Sequence, residues 1–279
     1  MKRRLATLVP PIGCASVFLT LFWACVSDPP APMPGESHST GALLYEQHCA
    51  ACHGDAGGGD GSMAPYLRVW PRDFRRERFN FVSVETGTAP ADEDLVEFIR
   101  RGSRTTHMPG HPQLSDSQVR ELASYLREIR RLGIVEEVTA ALIEEDEDFT
   151  AAEVEEIAFE RVAPGTRMAV PERPRGFTAD TARGAELFGR LCASCHGTAG
   201  AGDGSEELFD DLGRPIEARD LTVGEYRGGG GDRDLYWRLR SGIPGTAMPA
   251  FGSGQMSDEE TWQMIDYLRA LAGGKRKGG

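Results

Sequence analysis

The chain has 279 residues, long enough for two small domains, and it carries a net charge of −12 with a sequence pI near 5.1. This acidic balance argues against nucleic acid as a partner, because phosphate backbones are bound by basic surfaces. It favours protein partners with basic docking patches, although acidity that only maintains solubility is an equally simple reading.

Residues 1–25 are predicted to be an export leader, with three basic residues ahead of an apolar run. Two prolines and a glycine interrupt the run, which disfavours a membrane-spanning helix although the length permits one. The run ends in Leu21-Phe22-Trp23-Ala24-Cys25, which resembles a bacterial lipoprotein cleavage box and makes Cys25 the expected lipid-anchored residue. Residues 26–39, rich in proline and serine, are predicted to be a flexible tether.

Two short motifs dominate the rest of the chain: Cys49-Ala50-Ala51-Cys52-His53 and Cys192-Ala193-Ser194-Cys195-His196. Each is a Cys-x-x-Cys-His run, the attachment signature of c-type haem. Two thiols three positions apart on one helical turn can add to both vinyl groups of one porphyrin, and the histidine then ligates iron from the proximal side. We therefore expect two covalently attached haem c groups. Zinc binding by the four thiols is the competing reading, but it leaves the paired histidines unexplained.

Each motif belongs to a predicted unit of helix, glycine-rich loop, helix, loop and helix. The first helix of the first unit has Ser39 or Thr40 as its cap and runs into the cysteines. The middle helices are predicted over residues 92–101 and 232–241, and each stops at a glycine suited to a left-handed conformation. Capping boxes predict that the last helices start at Ser115 and Ser257.

Residues 132–181, between the units, are predicted to be an acidic, partly helical and then proline-rich linker. Residues 136–160 contain eleven acidic and no basic residues. Apolar spacing predicts one amphipathic helix there, and Thr150 with Glu153 predicts the cap of another. The acidic run is either a solvated helix face or a docking surface for a basic redox partner.

The two units are a tandem duplication, because their landmarks recur at offsets between 140 and 143. The paired landmarks include Gly41 and Gly184, Leu44 and Leu187, Tyr45 and Phe188, Gly102 and Gly242, Met108 and Met248, and Tyr125 and Tyr267. We place the first domain at residues 40–131, the second at 182–273, and a disordered basic tail at 274–279.

Both units resemble the class I cytochrome c family over nearly their whole length. The resemblance implies an all-α fold in which the first and last helices of each domain cross at close range beside the haem. Gly41 with Tyr45 would meet the helix bearing Leu122 and Tyr125, and the second domain would repeat this contact.

The resemblance also implies the ligand set. Cys49, Cys52, Cys192 and Cys195 are expected to hold the haems, with His53 and His196 as proximal iron ligands. Met108 and Met248 are expected as distal ligands, since each lies six residues after a glycine and precedes a proline. His107, His111 and Met63 are rivals of Met108 in the first unit.

Two further elements are interpreted from the resemblance. Pro65 falls where the family has a proline whose backbone region orients the proximal histidine, and the second unit has no proline there. Arg72-Asp73-Phe74 and Arg219-Asp220-Leu221 repeat between the units. Their arginines either pair with haem propionates or form ordinary solvated charge pairs.

We expect an exported electron carrier, periplasmic or lipid-anchored, rather than an enzyme, and assign no catalytic residue. Its expected partners are redox proteins, a dehydrogenase or a haem-copper oxidase, with no small-molecule substrate. The alternatives are a diheme peroxidase, which needs a distal site that opens, a haem-based gas sensor, and a cytochrome subunit of a larger membrane oxidoreductase.

Overall fold

The computed structural model describes residues 39–103, 105–173 and 180–276. The predicted leader and almost all of the predicted tether lie outside the described residues. Within them the fold is all-α, as predicted, apart from one hairpin of two short strands. The helices are α1 (Thr40–His48), α2 (Ala50–His53), α3 (Asp92–Arg101), α4 (Asp116–Glu144), α5 (Ala151–Val162), α6 (Thr181–Leu191), α7 (Ala193–His196), α8 (Asp232–Ser241) and α9 (Asp258–Arg276). The hairpin pairs β1 (Leu208–Phe209) with β2 (Pro215–Ile216) in antiparallel register.

The predicted helix termini are confirmed by their side-chain caps. The Ser39 hydroxyl accepts from the backbone N–H of Ala42, and so begins α1. Ser115 and Gln118 form the reciprocal capping box of α4, and an equivalent pair of bonds begins α9. Helices α3 and α8 both end before a glycine with a φ of 66°, at Gly102 and Gly242.

Each half is held together where its first helix crosses its last. In the first half Gly41 lies directly against the backbone of Glu121 on α4, and the rings of Tyr45 and Tyr125 are 5.4 Å apart. In the second half a Cβ at Gly184 would lie 2.5 Å from the Gln263 backbone oxygen on α9. Only a residue without a side chain permits this approach, so the predicted crossing is confirmed in both halves.

Helix α4 continues beyond residue 131, the predicted end of the first domain. The predicted boundary at residue 131 falls inside a single 29-residue helix that runs to Glu144. The extension packs against α5, and a small separate core forms from Ile134, Val138, Val154 and Ala158. The first part of the predicted linker is therefore a helical hairpin grown from α4. Thr150 caps α5 as expected. At the other end, α9 extends to Arg276, past the predicted boundary at residue 273.

The two halves pack directly against each other. The Ser241 hydroxyl donates to the backbone oxygen of Val84 at 2.7 Å, with both groups buried. Ion pairs cross the same interface, joining Arg214 to Glu77 at 3.0 Å and Arg233 to Glu97 at 3.2 Å. Because these pairs are partly exposed, each contributes no more than about 1 kcal/mol, and they fix orientation more than they add stability.

A segment between α5 and α6 ties the halves together through Arg167. Its guanidinium donates to Glu97 at 2.8 Å and to the buried carboxylate of Asp94 at 3.1 Å. The same group lies 4.8 Å from the ring centroid of Trp237 in the second half. The Trp237 indole N–H in turn donates to the backbone oxygen of Met168. The later part of the linker is thus an ordered strap across both halves as far as residue 173.

Among the helices of the described residues, none combines the length and the apolar character needed to cross a membrane.

The close crossing predicts opposite effects for two glycine substitutions on the same helix. Gly184→Ala is expected to destabilise the protein by about 1–3 kcal/mol, because the new methyl group has to displace the α9 backbone. Gly189→Ala, which meets no atom within 4 Å, is expected to stabilise it by about 0.4–1 kcal/mol through helix propensity. Denaturant unfolding measures both, and equal effects would contradict the crossing.

Candidate functional site

Each Cys-x-x-Cys-His motif occupies one helical turn directly after the crossing helix. Cys49 ends α1 and begins α2, and its backbone oxygen accepts from the N–H of His53 at 2.9 Å. Cys192 and His196 repeat this bond at 2.9 Å in the second half. All four motif cysteines are free and half-buried. Burial, with a smaller contribution from the neighbouring motif thiol, raises the pKa of Cys49 and Cys192 to about 12 and keeps them as thiols.

A backbone carbonyl orients the histidine of each motif. His53 Nδ1 lies 3.0 Å from the backbone oxygen of Arg72, and His196 Nδ1 lies 3.0 Å from that of Arg219. A carbonyl oxygen only accepts, so Nδ1 carries the proton in each ring and Nε2 keeps its lone pair for a metal. Burial lowers the pKa of both histidines, which favours the neutral imidazole that iron binds.

This geometry corrects one interpretation made from the sequence. Pro65 was expected to lie where the backbone orients His53, but it lies in a 3₁₀ turn (Ala64–Tyr66) and the acceptor is the Arg72 oxygen. The repeated arginines serve the site through their backbones. Of the two alternatives for their guanidinium groups, Arg72 forms a charge pair with Glu77, and Arg219 donates to the Glu225 oxygen. Pairing with haem propionates stays a prediction. The repetition of Arg-Asp in both units was the signal that identifies this acceptor.

The glycine-rich loop holds the acceptor segment against the motif. Gly202 donates its N–H to the His196 oxygen, and a Cβ there would lie 2.6 Å from the Ala218 oxygen. The N–H of Leu221 donates to the Gly200 oxygen at 2.7 Å. The first half repeats both backbone bonds: the N–H of Gly59 donates to the His53 oxygen, and the N–H of Phe74 donates to the Gly57 oxygen. The glycines therefore allow residues 218–221 to approach closely enough for the carbonyl to reach the imidazole.

In the second half the predicted residues converge on one cavity of about 570 Å³. Cys192, Cys195, His196 and Met248 all line it. Much of the remaining wall is apolar and comes from α6, α8, α9 and the loops between them. A largely apolar cavity of this volume is within the range of small-molecule and cofactor sites.

The two methionines occupy equivalent backbone turns. The Met108 oxygen accepts from the Ser103 N–H at 2.9 Å, and the Met248 oxygen accepts from the Ile243 N–H at 3.1 Å. Both side chains are half-buried. The Thr246 hydroxyl also accepts from the Met248 N–H, which fixes the turn beside the cavity. The repeated turn supports the pairing of Met108 with Met248, and their ligation of iron stays a prediction.

The rivals of Met108 have different surroundings. His107 is exposed in a left-handed conformation with a φ of 60°, and Met63 is 46% exposed. His111 is buried, and its ring centroid lies 5.3 Å from that of His48. The backbone N–H of His111 donates to the backbone oxygen of Ile99, and the backbone N–H of Phe251 donates to that of Leu239 in the same way. His111 therefore occupies the position that Phe251, an aromatic residue of the cavity wall, has in the second half.

The second-half site fits a c-type haem. It provides two thiols on one turn, an imidazole with a free Nε2, and a thioether on the wall of the same cavity. Among the described residues no group of three or more His, Cys, Asp or Glu side chains is arranged to hold a metal ion.

Comparisons with known proteins agree with this geometry. The family model described as cytochrome c oxidase, cbb3-type, subunit III matches residues 36–126 and again residues 179–268, together more than half of the chain. A chain from the reducing HAO-like protein complex of Kuenenia stuttgartiensis aligns with a TM-score of 0.69 and 28% identity. That alignment covers 86% of this chain and 99% of the other. A search of the curated proteins found no match.

The buried His111 predicts acid sensitivity. Burial and the nearby His48 lower its pKa in the folded protein, so the unfolded chain binds a proton first as the pH falls below about 6.5. Stability should therefore decrease between pH 7 and pH 5, and His111→Phe should reduce that loss. Denaturant midpoints at the two pH values measure it. His107→Gln is the control, and an equal pH response of His111→Phe and the unmodified protein would contradict this origin.

The glycine loop predicts a second effect, on the imidazole of His196. Gly202→Ala would push residues 218–220 away and weaken the bond from Nδ1, which makes the ligand less basic and should raise the reduction potential of the second haem. Gly213→Ala is the matched control, because it has a similar φ of 74° but no atom within 4 Å. Redox titration of the haem-loaded variants tests this, and equal potentials in both would contradict it.

Proposed function

Since the chain belongs to the family of cytochrome c oxidase, cbb3-type, subunit III, we propose that it is a diheme c-type cytochrome that passes single electrons between redox proteins. The observation that carries the proposal is the convergence of the attachment thiols, His196 and Met248 on one cavity of the second half. The duplicated family match and the duplicated hydrogen-bond pattern extend it to the first half.

Each half holds one haem through its own motif. In the first half the thiols of Cys49 and Cys52 would hold a haem c, and His53 and Met108 would ligate its iron. In the second half Cys192, Cys195, His196 and Met248 have the same roles. When bound, haem c supplies a one-electron couple between ferric and ferrous iron, and methionine ligation raises its potential relative to a second histidine.

The chain's own residues restrict that couple to electron transfer. An imidazole and a thioether together would be the protein ligands of a haem c that carries electrons and does not bind peroxide or another small substrate. The Arg72 and Arg219 carbonyls hold the imidazoles in one orientation. One electron enters from a reduced donor protein and one leaves to an oxidised acceptor protein, with no bond to a substrate made or broken.

The partners are redox proteins that dock on the surface. The structural neighbour from Kuenenia stuttgartiensis comes from a reducing HAO-like protein complex, which supports assembly with a redox protein partner. A dehydrogenase and a terminal oxidase are the partner classes that we propose. The carrier is exported, because haem attachment of this type occurs outside the cytoplasm in bacteria. We propose membrane attachment through a lipid on Cys25, and the mass of the mature N-terminal peptide tests cleavage before that residue.

The ligand set predicts the outcome of a redox titration of the mature protein. Two low-spin haems should titrate, and Met108→Ala and Met248→Ala should each lower the potential of one haem and leave the other unchanged. The loss of the thioether should change the potential by on the order of a hundred millivolts, within the roughly 0.8 V span that axial ligands control. Potentiometry with optical detection measures both.

Met63→Ala is the matched control, because this methionine is the rival of Met108 and should leave both haems unaltered. A protein with one haem contradicts the proposal. A first haem that ignores Met108→Ala contradicts its ligand assignment. A high-spin resting haem that turns over peroxide would support the peroxidase alternative instead.

A further inference from the structure

The cavity of the second half is completed by residues of the first half. Arg68, Asn80 and Phe81 line it together with residues of the second half. They come from the segment between α2 and α3, the same segment that makes interface contacts at Glu77 and Val84. The second cavity is therefore built by both halves.

Asn80 brings an unsatisfied polar group to this cavity. It is the only asparagine in the chain, and its Oδ1 is buried without a hydrogen-bond partner among the described residues. Buried polar atoms are rarely left unpaired, so such an atom on a cavity wall points to a ligand in the cavity. Rotation of the amide by 180° exchanges Oδ1 and Nδ2, so the same position can donate a hydrogen bond.

Arginine side chains surround the same space. The Arg238 guanidinium lies 4.9 Å from the centroid of the Phe81 ring and makes one hydrogen bond, of 3.4 Å, to the Gly229 oxygen. No carboxylate of the described residues forms an ion pair with it within 4.0 Å. Burial lowers the pKa of Arg238 to about 10, although the charge of the nearby Asp234 acts in the opposite direction. Burial also lowers the pKa of Arg227, with the charge of Arg219 as a second cause.

The acidic groups on the cavity wall do not balance these cations. Glu217 and Asp220 line the cavity along with Arg68, Arg219, Arg227 and Arg238. Asp220 accepts from the backbone N–H of Thr222 at 2.9 Å and caps a 3₁₀ turn. The surplus of positive charge favours an anionic ligand group, and arginine with an amide N–H suits a carboxylate.

The first half differs at the position of Arg238. The duplication pairs Arg238 with Phe98, which stacks on Phe81 at a centroid distance of 5.5 Å. Phe81 is therefore in contact with an aromatic ring of its own half and with the guanidinium of the other. Arg238 therefore brings a cation to the second-half cavity, and a phenylalanine occupies the equivalent position of the first half.

We propose that Asn80 of the first half and Arg238 and Arg227 of the second form a carboxylate site for the propionate side chains of the second haem. The inference rests on the proposed function, since it takes the second haem as the occupant of the cavity. The first half then acts as a positioning element of the second haem site, and its docking sets the potential of a haem that it does not bind covalently.

The test is a redox titration of the haem-loaded full chain with four variants. Arg238→Gln and Asn80→Asp should each lower the potential of the second haem, because uncompensated negative charge near iron favours the ferric state. Asn80→Leu should lower it less, since it removes hydrogen bonds without adding charge. Arg238→Lys should restore most of the potential. The first haem should keep its potential in all four, and Met248→Ala identifies which wave belongs to the second.

Arg183→Gln is the matched control, because Arg183 is an arginine of the second half that does not line the cavity and whose ion pairs, with Glu186 and Glu260, lie within that half. The resonance Raman bending mode of the propionates gives a readout independent of potential, and it should shift in Asn80→Leu and Arg238→Gln only. Equal shifts of the second wave in Arg183→Gln and Arg238→Gln, or no shift in Arg238→Gln, would overturn the site.

Two further outcomes separate the sources of failure. If a free anion rather than the haem occupies the site, added phosphate will change the potential of the unmodified protein, which overturns the inference. The number of haems per chain separates failure of the proposed function from failure of this site. A single haem per chain overturns the proposed function and this ligand with it, whereas two haems with unchanged potentials in the variants overturn this site alone.

Discussion

In both halves the first helix lies against the last at a glycine, and the rest of each domain depends on that approach. At Gly41 and Gly184 the partner backbone occupies the space where a side chain would begin. The motif turn follows at the end of the crossing helix, so the position of the crossing decides where the two thiols and the histidine lie. The middle helix and the methionine turn then close the cavity from another side. A shift at the crossing would move every one of these groups.

Much of this arrangement was predictable from the sequence because it depends on local chemistry. A few neighbouring residues determine each of these features: the helix caps at Ser39 and Ser115, the helix end before Gly102, and the motif turns. The acceptor for each proximal imidazole was not predicted, because a backbone carbonyl carries no residue signature. Pro65 was assigned to this role because it matches a proline of the family pattern. The acceptor is the Arg72 oxygen, and the only sequence signal for it is that Arg72-Asp73 recurs in the second unit.

Contacts distant in sequence explain the other differences. Nothing local in Asn80 or Phe81 indicates that they reach the cavity of the other half, since that depends on how the halves pack. The duplication has also diverged at the cavity walls, with His111 in place of Phe251 and Phe98 in place of Arg238. Equivalent positions of the two halves thus carry side chains of different charge.

The length of α4 has a consequence for how the molecule opens. Its first turns belong to the core beside the first motif, and its last turns to the small core shared with α5. A continuous helix that serves two cores transmits the loss of one to the other, because its backbone bonds run through both. We therefore regard the hairpin and the first half as one cooperative folding unit, in which the acidic hairpin is protected from local opening by the same helix that seats the first motif.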